Sequence, residues 1–114
     1  MDKLLKNLDY ATVFSLAGQV EYLAGQVVSK TIVQNPAVGV TLFAIPAGEG
    51  ISAHKSSGDA FVYILDGKAE VTIESDKYAV SAGESIVMPA GKPHALSARE
   101  NFKMLLIVIF PEAK

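Results

Sequence analysis

The sequence holds 114 residues, half of them apolar and 19% charged, with a formal net charge of −2 and no cysteine. Size scaling gives roughly 6,000 Å² of accessible surface when folded against roughly 17,500 Å² unfolded, which suits one compact domain and excludes disorder. The missing cysteines exclude thiol chemistry, the longest apolar run (104–110) is far short of a bilayer crossing, and nine lysines with one arginine, Arg99, form no basic patch for nucleic acid.

In chain order, residues 1–25 read as an extension. Leu4, Leu5, Leu8, Val13 and Leu16 lie among alanines without a proline, which fits a short helix or turn followed by a strand. The extension is expected to pack on the domain that follows or on a partner subunit. Asp2 and Asp9 interrupt Lys3 and Lys6, and no small-residue cleavage pattern follows. A cytoplasmic protein with no membrane association is therefore expected.

Residues 26–114 read as a barrel domain built from short β-rich runs. The first, 26–34, carries Val27, Val28, Thr31, Ile32 and Val33 and is closed by Asn35-Pro36. The second, 38–45, is closed by Pro46-Ala47-Gly48-Glu49-Gly50. Residues 61–65 and 68–74 then predict a hairpin about Asp66-Gly67, because both turn residues tolerate positive φ. Ala69, Val71 and Ile73 alternate with Lys68, Glu70, Thr72 and Glu74, giving one dry and one wet face. Residues 61–65 are apolar on both faces and should be covered on both sides.

Runs at 78–80, 85–88, 94–98 and 102–110 complete the series, separated by Gly83, Pro89-Ala90-Gly91 and Pro93. Roughly nine strands at spacings of about 8–12 residues predict an all-β sandwich or barrel. In the last run Met104, Leu106 and Val108 alternate with Leu105, Ile107 and Ile109, more than one barrel interior can bury. Its second face is expected to pack on another subunit or on the N-terminal segment, and a homodimer is the expected assembly.

Two histidines, His54 and His94, are the main candidates for chemistry. No P-loop, dinucleotide fingerprint, helical histidine pair or serine elbow is present. Either histidine alone reads as an ordinary rim or core residue; their surroundings single them out. In the first stretch His54 follows Gly48 by six positions, and Ser56, Ala60 and Gly67 come after it. The second stretch is Gly83-Glu84-Ser85-Ile86-Val87-Met88-Pro89-Ala90-Gly91-Lys92-Pro93-His94. Over residues 38–110 the chain resembles the cupin superfamily, whose second motif runs Gly, five residues, Pro-x-Gly-x-x-His.

That resemblance implies a double-stranded β-helix, a jelly-roll barrel, with a divalent transition metal (iron, manganese, zinc, nickel or copper) held by three histidines and a glutamate. His54 and His94 match the first and last of those ligand positions. Ser56 stands in place of the second histidine, Ala60 in place of the glutamate, and Ala98 in place of a trailing asparagine. A serine hydroxyl is a poor ligand for such ions and alanine is none, so the four-ligand centre cannot form. A bulge near Gly58 that turned Asp59 inward would restore a centre of two histidines and one carboxylate.

Strand alternation sketches a pocket lined by His54, Ser56, Ala60, Val62, Met88, His94 and Leu96, with Ile64 deeper and Ile86 nearby. The small Ser56 and Ala60 leave room for a small molecule, with the histidines and Ser56 as polar contacts. One reading is therefore a small-molecule binding module. The alternative is a metal-dependent oxygenase or isomerase with a reduced site in which only His54 and His94 hold the ion. A cofactor-free isomerase or lyase with histidine as base ranks below both, because no acid partner is evident. Whether the protein is an enzyme stays open at this point.

Overall fold

The computed structural model describes residues 3–112, so the outermost positions of the 1–25 and 26–114 divisions lie outside the described residues. The strands are β1 (Val28–Gln34), β2 (Val38–Ile45), β3 (Gly50–His54), β4 (Asp59–Ile73), β5 (Asp76–Ser81), β6 (Ser85–Met88), β7 (His94–Ser97) and β8 (Phe102–Ile109). Every pairing between them is antiparallel. One sheet runs β1–β2–β8–β4–β6 and the other β3–β7–β4–β5. The all-β architecture is a double-stranded β-helix, as the strand spacing and the two motifs led us to expect.

The hairpin expected at Asp66-Gly67 does not form. Instead β4 runs unbroken through both residues and belongs to both sheets: its first half pairs with β8 and β6, its second half with β5 and β7. The positive φ that suggested a turn is real, +73° at Gly67, but it serves a bulge. Opposite β8 the register shifts between Ile64 and Asp66, which lets the strand bend from one sheet into the next. A Cβ on Gly67 would collide with the carbonyl oxygen of Asn101. The reversal lies further on, where Glu74, at φ +56°, joins Ile73 to Asp76.

The inward faces meet in one core. Ile45, Ala60, Val62, Ile64, Met88, Phe102 and Met104 of the first sheet pack with Ala69, Val71, Val80 and Leu96 of the second and with Ala98 just beyond it. The dry face expected for residues 68–74 is thus observed at Ala69 and Val71. Residues 61–65, by contrast, are covered fully on one face only: Val62 and Ile64 are buried, whereas Phe61 is 41% exposed.

The N-terminal segment explains which part of that outer face is covered. It forms a 3-10 turn at Ala17–Gln19 and an isolated bridge between Leu23 and Gln26 rather than the strand expected there. Leu8, Leu16, Val20 and Tyr22 pack on Ile32, Leu42, Leu65 and Leu105, on the outer side of the first sheet. Polar latches hold them there: Tyr22 OH donates to Asp66 Oδ2 at 2.6 Å, and Lys103 Nζ donates to the Ala17 carbonyl at 2.6 Å. The remainder of the face is bare. Phe61 lies opposite Ile107 and Val87, and Ile109 lies opposite Val38, leaving Phe61, Val87 and Ile109 exposed to solvent.

Candidate ligand-binding site

Two connections create the site. The short segment after β3 and the Pro89–Pro93 loop after β6 both carry the chain from one sheet to the other at the same end of the barrel. His54 closes β3 and His94 opens β7, and the two are directly paired across the strands. A register shift between Ile51 and His54 puts both of those side chains on the inward face, which plain alternation would have kept apart. Gly91 N–H donates to the Ser56 carbonyl at 2.9 Å and ties the two crossing segments together.

The imidazoles meet edge to face, with ring centroids 4.4 Å apart and an interplanar angle of 70°. Each uses Nδ1 locally: His54 Nδ1 lies 3.0 Å from the Ser52 carbonyl oxygen and His94 Nδ1 lies 3.2 Å from that of Lys92. A carbonyl oxygen can only accept, so both Nδ1 atoms carry the proton and both Nε2 atoms keep a free lone pair in the neutral ring. Burial, reinforced by the neighbouring His54 and opposed by the Lys92 carbonyl, pushes His94 below its ordinary pKa of 6.5. It is therefore neutral at physiological pH.

His54 is exposed, whereas His94 is only 3% exposed. Among the described residues no buried side-chain nitrogen or oxygen lacks a partner. Nε2 of His94 has no hydrogen-bond partner, so it belongs to the sliver of this residue that solvent reaches. Around this end of the barrel the inward apolar side chains are only partly buried. Ile51 and Ile73 flank the histidines, and Phe43, Leu106 and Val108 belong to the opposing sheet. They are the partly buried apolar side chains that share the barrel's inward faces with the histidine pair.

The other residues picked out by sequence fall into two groups. Ala60, Val62, Met88 and Leu96 point inward and are buried, so they belong to the packed core and line no accessible surface. Ser56 is half-buried, and its Oγ accepts a hydrogen bond from Gly58 N–H at 3.1 Å. The partly buried Phe43, Ile51, Ile73, Leu106 and Val108 were missed in the pocket reading. For Leu106 and Val108 the alternation along β8 carried the signal; for Ile51 the bulge hid it.

Asp59 does not turn inward. It pairs with Ile109 on the outer side of the sheet, and its Oδ1 accepts the Ala90 N–H at 2.9 Å. Among the described residues no three His, Cys, Asp or Glu side chains gather as a metal ligand set. The donors at the site are two imidazole nitrogens and a hydroxyl already engaged with its own loop. This set does not fit the three-histidine, one-carboxylate centre, nor the two-histidine, one-carboxylate centre that suits iron(II).

Comparison with known proteins places these observations. The family model described as a cupin domain matches residues 41–110. A conserved protein of unknown function from Streptococcus pyogenes is 46% identical, with 98% of each chain covered and a TM-score of 0.96. A cupin superfamily protein from Desulfitobacterium hafniense is 33% identical over 94% of this chain and 98% of that one, with a TM-score of 0.90. A cupin 2 conserved barrel domain protein from Leptotrichia buccalis is 43% identical, with a TM-score of 0.82, over 84% of this chain but 47% of its own. No curated protein matches the sequence.

Proposed function

Because the chain belongs to the cupin domain family yet lacks the carboxylate and one histidine of that family's ion site, we propose that it binds a small organic molecule, without a metal, at the open end of its barrel. The observation that carries this reading is the histidine pair: both Nδ1–H groups are held by backbone carbonyls, and both Nε2 lone pairs are left for a ligand beside partly buried apolar side chains. A mostly hydrocarbon cavity with a few fixed polar groups is the usual form of a small-molecule site. Thermal-shift screening of small apolar compounds in excess chelator tests it. Compounds that stabilise the wild type should lose their effect in Leu106→Trp, which fills the opening from the opposing wall. Stabilisation seen only after a transition metal is added, or unchanged in Leu106→Trp, contradicts the proposal.

We propose further that the protein acts as a homodimer joined through the bare part of the first sheet's outer face. Leu4, Leu5, Tyr10, Val13, Phe14 and Leu23 of the N-terminal segment and Phe61, Val87 and Ile109 of the sheet are all exposed. Exposed apolar side chains in this number are what an interface covers, a standard one burying about 800 Å² on each partner. A monomer has no use for so much exposed hydrocarbon.

A further inference from the structure

The hydrogen-bond polarity of the histidine pair restricts what the site can hold. This inference rests on the ligand-binding reading above and narrows it to a chemical class. We propose that the site selects a neutral, largely apolar molecule that presents a hydroxyl donor, an alcohol or a phenol, over ethers, carboxylates and phosphates of the same shape.

The argument starts from the Ser52 and Lys92 carbonyls, which fix the proton of each ring on Nδ1. A neutral imidazole in that tautomer offers Nε2 only as an acceptor. The ligand must therefore bring the proton. An ether or ketone brings none, and leaves the nearly buried Nε2 of His94 stripped of water with no partner, which is the costly outcome. Anions meet two lone pairs and no buried cation: Lys92 is paired with Glu74 at 3.1 Å, with both side chains half-exposed. Organic cations meet no unengaged carboxylate here, because Asp59 faces the outside and accepts the Ala90 N–H while Glu74 is paired with Lys92. Neutral hydroxyl donors remain, and Phe43, Ile51, Leu106 and Val108 suit a hydrocarbon body.

Three probes of one shape separate the possibilities: 4-methylphenol, 4-methylanisole and 4-methylbenzoate, titrated into chelator-treated full-length protein labelled with ¹⁵N-histidine. Free protein should show His94 as the Nδ1–H tautomer at pH 7.5, and the neutral ring of His54 should carry its proton on Nδ1 as well. The phenol should bind at least about tenfold tighter than the anisole and shift an Nε2 resonance. His54→Phe, which removes one of the two acceptors, should narrow that preference. An Nε2–H tautomer at either histidine, or equal affinity for phenol and anisole, overturns the donor rule and leaves the pocket standing. Tighter benzoate binding, through Lys55 or a protonated ring, overturns it as well. If none of the three binds, the donor rule fails together with the pocket reading.

Discussion

His94 joins the fold to the proposed chemistry at the scale of one side chain. Its ring is nearly buried, its Nδ1–H is fixed by a backbone carbonyl, and a second imidazole lies 4.4 Å away, so a positive charge there is disfavoured. The consequence for stability has a definite sign. Folding lowers the pKa of His94 below the unfolded value of 6.5, so above that pH both states are neutral and the group gives no pH dependence. As pH falls from 6.5 through the folded pKa, the unfolded chain takes up a proton that the native chain refuses, and stability drops. Thermal melts from pH 8 to 4.5 should show this loss in the wild type and a smaller one in His94→Leu. An equal slope in both would show that His94 is not the group responsible. The two motifs made both histidines legible in the sequence, because spacing survives without any knowledge of packing. The direction of Asp59 was not legible: it depends on whether Gly58 bulges, and a glycine permits either outcome.

Among the elements, β4 decides the architecture. By serving both sheets it contributes Ala60 and Val62 to the core from one sheet and places Ile73 beside His94 in the other. That continuity rests on Gly67, where positive φ and close approach to the Asn101 carbonyl leave no place for a Cβ. Gly67→Ala should therefore destabilise the fold by at least about 2 kcal/mol, from left-handed strain and displacement of β8 together. Chemical denaturation measures this, and a loss below about 0.5 kcal/mol would mean that the bend tolerates a side chain. Most strands were legible from β-branched runs punctuated by glycine and proline; 38–45 and 85–88 emerge with the expected bounds. Asp66-Gly67 misled because a hairpin turn and a bulge need the same positive φ, and only the position of β8 distinguishes them. Strand β3 was legible only through the motif it carries, since its run is short and its apolar pattern is broken by the bulge.

For the whole molecule the main feature is surface left uncovered. The chain exposes 6913 Å², against roughly 6,000 Å² for a monomer of its mass. Its extents of 46 × 39 × 23 Å describe a flattened body, with the N-terminal segment spread over part of one sheet face. The doubled apolar alternation of the last strand announced this in the sequence. Inward Leu106 and Val108 line the barrel, Leu105 is covered by the N-terminal segment, and Ile109 remains outside. Light scattering at micromolar concentration should give a dimer, and the double change Phe61→Glu with Ile109→Glu should give a folded monomer. A wild type that stays monomeric at 100 µM contradicts the proposed interface.

The central claim is that this barrel uses its two histidines without a metal, and metal content tests it most directly. Untagged protein purified without chelator is loaded anaerobically with iron, manganese, zinc, nickel and copper in turn, dialysed, and analysed for bound ion. The account predicts less than about a tenth of an equivalent of any metal, because two neutral donors without a carboxylate hold an ion weakly. One equivalent that disappears in the His54→Ala, His94→Ala double variant would contradict it.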